Sequence, residues 1–175
     1  MSRAQLRVTV VLCLSAASIV ALAQVMAKPG LWEMSSTLTW QKIPMPPGVT
    51  LPDGAPNPFA PSTRTSEVCM TQEMIDKFGA PFATLKSHED CTVTRIVHKP
   101  AGLTAEMTCT GAISGHETVE SSWPDGVTAH GTAHFIGAMQ VGPNPIPVEY
   151  TVQSTSTYKS ADCGSVKPIP MPASK

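Results

Sequence analysis

The side chains best suited to chemistry in this chain sit on two runs that alternate between polar and apolar residues. His116–Trp123 and Val127–Ile136 flank Pro124-Asp125-Gly126. Proline at the second turn position and glycine at the fourth fit a type I turn closed by a glycine bulge. That register sets Trp123 against Val127. It places His116 opposite His134 and Glu120 opposite His130, all on the polar side. Opposed Cβ atoms lie about 4.5–5.5 Å apart, so two imidazoles could share a zinc or copper ion. His130 and His134 alone could not, because four strand residues span about 13 Å. A falling pH would charge both rings and weaken such a site. A solvated polar face accounts for the same histidines with no metal at all.

Thioethers offer a second metal chemistry. Met45 and Met171 lie in two Ile-Pro-Met-Pro copies, Ile43–Pro46 and Ile169–Pro172, and sulfur of this kind suits Cu(I). Both copies read equally as flexible proline-rich segments. Hydrolytic chemistry has little support. There is no G-x-S-x-G, and Ser114, His116 and Glu120 are near in sequence with no turn to orient the serine. Glu89-Asp90 beside Cys91 is an acidic pair in a loop, and paired carboxylates need burial to shift their pKa. P-loop, G-x-G-x-x-G and H-E-x-x-H patterns are missing. The chain is expected to be no enzyme and to need no cofactor.

Composition narrows the partners. The 175 residues carry 12 Lys+Arg against 13 Asp+Glu, a net charge of −1. The basic residues are scattered, so no nucleic-acid partner is expected. Only 14% of residues are charged and 17 are proline, which excludes a coiled coil or long helix. With 42% hydrophobic residues the chain is expected to fold, as one domain.

Residues 1–23 read as a signal peptide. Arg3 and Arg7 precede an apolar run from Val8 to Leu22, and Ala21 and Ala23 supply small residues before the cut. A second cut fits after Ala27. The run is about 15 residues, short of the roughly 20 needed to cross a bilayer, so no stable membrane span is expected. Periplasmic or secreted localisation follows. Cys13 leaves with the leader, and Cys69, Cys91, Cys109 and Cys163 remain. An even count in an exported chain points to two disulfides. We favour Cys69–Cys91 and Cys109–Cys163, with a cross-strand Cys91–Cys109 link as the alternative. No C-x₂-C spacing supports a zinc or redox site.

The elements that must position these residues are mostly strands. Leu31–Trp40 alternates, with Trp32, Met34, Leu38 and Trp40 on one side. Residues 42–62 contain seven prolines and form a long extended loop. Thr63–Cys69 resumes as a strand, and Thr71 caps a short helix to about Phe78, ended by Gly79. Cys91–His98 and Leu103–Thr110 flank Lys99-Pro100-Ala101-Gly102. A glycine-bulge turn there sets Lys99 against Leu103 and puts Val93, Val97, Leu103, Ala105, Met107 and Cys109 on one face, with Arg95 as an exception among them. Residues 137–147 read as another loop, and Val148–Tyr158 alternates with Val148, Tyr150, Val152 and Tyr158 inward. Residues 165–175 read as a disordered tail.

Lys28-Pro29-Gly30-Leu31-Trp32-Glu33, the Ile43-Pro44-Met45-Pro46-Pro47 loop, the Cys69-Met70-Thr71 step into a helix, Cys91 and Cys109 around a hairpin, and Asp162-Cys163-Gly164 occur in that order. This chain resembles a bacterial family of small exported proteins catalogued as domain of unknown function 3617. The resemblance covers residues 28–164 and implies export, disulfides and the fold. It brings no catalytic residue. Here the proline-rich loop is longer and a tail follows the last cysteine. Gly30-Leu31-Trp32 is also similar to the G-x-W opening of lipocalins.

The expected fold is all-β with one short helix. It is an antiparallel meander curled into a half-barrel or a small lipocalin-like barrel, with a β-sandwich as the alternative. The expected function is binding of an apolar or lipid-like small molecule in a pocket walled by Trp32, Trp40, Trp123, Phe135 and Tyr150. The alternatives are periplasmic copper or zinc handling through His116, His134 and Met45, and a structural or protein-interaction role for loop 42–62.

Overall fold

The computed structural model describes residues 25–46, 48–81 and 91–168. The expected leader 1–23, Glu89-Asp90 and Met171 lie outside the described residues. The order of elements is β1 (Gly30–Lys42), β2 (Ser62–Met70), α1 (Gln72–Phe78), β3 (Cys91–Lys99), β4 (Gly102–Thr110), β5 (Ile113–Ser122), β6 (Thr128–Val141) and β7 (Asn144–Ser160).

All seven strands form one antiparallel sheet in the order β2-β1-β7-β6-β5-β4-β3. Strands β3 to β7 follow one another as a meander, and β1 then adds beside β7. The inward side chains of every strand join α1 in one buried cluster. A flat sheet with a single seven-residue helix on it would leave many of them wet, so the sheet curls around its apolar side. It does not close. Strands β2 and β3 are free edges, so the small barrel is not formed. Both edges resist further pairing: Thr63, Arg64 and Glu67 of β2 are exposed, and β3 is interrupted at Thr94.

The helix follows its local signals. Thr71 Oγ1 accepts from Met74 N at 3.2 Å, and Gly79 N donates to Ile75 O at 2.7 Å. Met74, Ile75 and Phe78 turn inward.

Three expectations about the connections are corrected. In the β3–β4 hairpin Lys99 pairs with Gly102, not Leu103. Gly102 has no positive φ, so the turn is a plain two-residue connection without a glycine bulge. This one-residue slip turns Val97 outward and Ile96 inward. A bulge at Thr94 then restores Val93 opposite Met107 and Cys91 opposite Cys109. Arg95 consequently points to solvent, where it meets Glu106 at 3.4 Å.

In the β5–β6 hairpin the turn itself is as expected. Gly126 N donates to Trp123 O at 3.3 Å, and Gly126 has φ +71°. The ladder, however, starts only at Ser122 and His130, two positions from the expected register. The Asp125 carboxylate accepts from Val127 N at 2.9 Å and Thr128 N at 2.6 Å, which keeps both amides from β5. The faces survive because the offset is even.

Residues 137–147 are strand, not loop. Strands β6 and β7 run to a two-residue Gly142-Pro143 turn, with φ +63° at Gly142 as a type II′ turn requires. Pro145 and Pro147 are tolerated because β1 leaves β7 after Lys42 and Glu149, so this stretch is an edge.

The disulfides are Cys69–Cys163 and Cys91–Cys109, with Cα separations of 5.5 and 4.0 Å. The favoured pairing Cys69–Cys91 with Cys109–Cys163 is therefore wrong, and the cross-strand alternative holds. Strand order decides it. Cys69 and Cys91 lie on opposite edges, roughly 29 Å apart along the sheet at about 4.8 Å per strand. Beyond Cys163, Val166 N donates to Cys163 O and Pro168 makes a lone bridge to Cys69.

Candidate functional site

The strand registers arrange the inner face in rows. One row runs Trp40, Tyr150, Phe135, Glu117, Met107 and Val93 from β1 to β3. The next is aliphatic, from Leu38 through Val152, Ala133, Val119 and Ala105 to Ile96. The third is small and polar: Ser36, Ser154, Gly131 and Ser121, ending at Leu103. Met34, Ser156 and Ala129 follow. Trp32 and Tyr158 close that end.

The five aromatic residues expected in a pocket fall into two groups at opposite ends of this face. Phe135 stacks on Tyr150 at 5.0 Å, and Trp40 meets Tyr150 edge-on at 5.4 Å. Phe59 from the proline-rich loop extends the series, 5.9 Å from Trp40. At the other end Trp32 is 5.7 Å from Tyr158. Trp123 there donates its indole N–H to Val25 O at 2.8 Å, and Trp32 donates to Lys28 O at 2.9 Å. The Trp123 ring lies so close to Gly79 that a Cβ there would sit 2.0 Å away. Residues 25–28 are thus part of the fold, with Ala27 buried.

Glu117 is the anomaly of the inner face. It is 1% exposed between Met107 and Phe135, and neither carboxylate oxygen has a hydrogen-bond partner. Burial pushes its carboxyl from 4.5 up to about 7. Tyr150 is raised too, by burial first and by the charge of Glu117 second. Ser121 Oγ and Ser156 Oγ are likewise buried without partners. An orphaned buried polar group costs free energy, so three on one face call for an explanation. The alternation that turns Val119 and Trp123 inward also selects Glu117. Its lack of a partner depends on neighbours from other strands and had no sequence signal.

The histidines are not brought together as expected. His116 pairs with Ile136 and Thr108, its Nδ1 3.4 Å from Thr108 Oγ1. His134 pairs with Thr118, and its Nε2 lies 3.3 Å from Glu149 Oε1. Hydrogen bonds from Lys42 and then His134 hold the Glu149 carboxyl below its usual range. Glu120 pairs with Thr132, and His130 with Ser122. Among the described residues no three His, Cys, Asp or Glu side chains are placed to hold a metal. Glu120 and His130 do line a surface depression of about 370 Å³ with Lys99, Ser122 and Thr132, among others. None of the five aromatic residues lines it.

No helix among the described residues is long and apolar enough to cross a membrane. Neither the curated proteins nor the solved structures contain a match to this chain. A family model matches residues 27–163, a span that holds all four cysteines of the two disulfides, and by that match this chain belongs to the proteins of unknown function DUF3617.

Proposed function

We propose that the domain is a non-enzymatic binding module of an oxidising, extracytoplasmic compartment, and that it holds an apolar small molecule against the concave side of its sheet. The observation that carries this reading is the inner face itself. It has aromatic groups at both ends, small residues between them, and partnerless polar atoms on Glu117, Ser121 and Ser156, and because these side chains are buried a guest has to part the packing on that side to reach them. Ligand sites combine a mostly apolar lining with a few polar groups that orient the guest. The two disulfides agree with export. Catalysis fits less well. Neither Ser121 nor Ser156 is hydrogen-bonded to a base, so neither hydroxyl is activated.

A lipophilic dye titrated into the oxidised protein, followed by tryptophan fluorescence, tests this reading. Saturable quenching is expected, and competition by an unlabelled apolar compound should reverse it. A titration with no saturable component rejects the proposal.

A further inference from the structure

We infer that the convex side of the sheet carries a separate site, a depression fitted to a short peptide whose two ends are both charged. This goes beyond the concave face and does not rest on it. The depression holds about 370 Å³ and is lined by Lys99, Gly102, Glu120, Ser122, His130 and Thr132, among others. All of these but Gly102 are exposed. The strand registers explain the opening. Lys99 pairs with Gly102, Gly102 with Ser122, and Ser122 with His130, so the four form one row across β3 to β6. Glu120 and Thr132 pair in the next row on the same face. Gly102 leaves the gap in the first row. A Cβ there would come within 2.6 Å of Ser121 O, so close approach of the strands demands the missing side chain. Trp123 N donates to Ala101 O at 2.8 Å and fixes the β3–β4 turn beside β5.

The fold leaves the charges of this depression unused. Elsewhere on the sheet opposite charges meet: Lys42 with Glu149 at 2.8 Å, Arg95 with Glu106 at 3.4 Å, and Lys159 with Glu33 at 3.4 Å. Lys99, Glu120 and His130 make no ion pair or side-chain hydrogen bond among the described residues. Lys99 and Glu120 stand two strands and two residues apart. That is roughly 12 Å between Cα atoms, at about 4.8 Å per strand and 3.3 Å per residue. A simple anion drawn to Lys99 would face the Glu120 carboxylate, and a simple cation would face the Lys99 ammonium. Among the described residues no third His, Cys, Asp or Glu joins Glu120 and His130, so a metal would find only two such ligands. A guest with one charge of each sign satisfies both. Its ammonium donates to Glu120 beside the Thr132 hydroxyl, and its carboxylate accepts from Lys99, from Ser122 and from the His130 ring. A single amino acid carries its two charges on one carbon and is too short to span them. A peptide of two or three residues extends about 7–10 Å.

The test titrates the full oxidised chain with trialanine, N-acetyl-trialanine and trialanine amide by calorimetry, and follows backbone amide NMR shifts. Trialanine should bind saturably, with shifts confined to residues 99–104 and 120–132. Blocking either end should weaken binding at least about tenfold, a factor equivalent to about 1.4 kcal/mol. Glu120→Gln should remove the penalty for acetylating the amine and keep the penalty for amidating the carboxylate. Lys99→Gln should do the reverse. Glu67→Gln, exposed on β2, should change neither. The three substituted side chains are exposed, so each variant keeps the fold. No saturable binding of trialanine up to about 10 mM overturns the inference. So do equal affinities of wild type for the free and blocked peptides, penalties that survive both variants, or shifts elsewhere on the sheet. None of these outcomes bears on the dye titration that tests the concave face.

Discussion

Glu117 lies directly opposite Phe135 across the β5–β6 pair, with both of its carboxylate oxygens buried and unpartnered. Its folded-state pKa of about 7 stands above the ordinary 4.5. The folded protein therefore binds more protons than the unfolded chain between these values, and stability falls as pH rises through that window. Below about 4.5 the charge-dependent part of the penalty is absent, because the carboxyl is protonated in both states. Above about 7 the penalty levels off near 3 kcal/mol, at about 1.36 kcal/mol per pKa unit. Urea midpoints measured from pH 4.5 to pH 8 should show this decline in wild type. Glu117→Gln should flatten it.

The two disulfides should contribute unequally. Cys69–Cys163 closes a span of 94 residues and Cys91–Cys109 one of 18. Loop-closure entropy gives about 4.7 kcal/mol for the first and about 3.2 kcal/mol for the second. A double serine variant at Cys69 and Cys163 should lose more stability than one at Cys91 and Cys109. Denaturant unfolding of both variants tests the ranking.

Gly79 couples the end of α1 to Trp123. It has φ +79°, and the Trp123 ring occupies the space a side chain would need. Gly79→Ala should destabilise the fold by more than about 2 kcal/mol, adding backbone strain to overpacking. Its thermal melt should shift downward, and Trp123 emission should move to the red as the ring is displaced.

Under the export proposed above, the position at which a leader is removed should matter for the mature fold. Cleavage after Ala23 keeps the Val25 carbonyl that receives the Trp123 indole N–H, and it keeps buried Ala27. Cleavage after Ala27 removes both. Leaving that N–H buried without a partner would cost about 1–3 kcal/mol. A chain starting at Gln24 should melt higher than one starting at Lys28, and N-terminal sequencing of exported protein should find Gln24 first.

Phe59 pins the proline-rich loop to the sheet through its edge-on contact with Trp40. Phe59→Ala should cost about 0.5–1.5 kcal/mol beyond the lost buried area. Limited proteolysis should then cut within 43–61 faster than in wild type. An unchanged cutting rate would mean that the ring contact does not hold the loop.

Features set by neighbours along the chain were legible in the residues alone. Period-two alternation marks β1, β5 and the inner positions of β7. Thr71 and Gly79 bound α1, and Pro124-Asp125-Gly126 specifies its turn. Each of these depends on backbone torsion or side-chain direction within a few residues, so local chemistry suffices. Contacts between distant segments were not legible. The His116–His134 pairing failed because the Asp125 carboxylate captures two amides and offsets the ladder by two positions. The favoured cysteine pairing failed because β2 and β3 end on opposite edges. The orphaned state of Glu117 arises only when β4, β6 and β7 surround it with Met107, Phe135 and Tyr150. Register, strand order and the partners of a buried charge are set by free energies summed over the whole sheet, and no short window of sequence contains them.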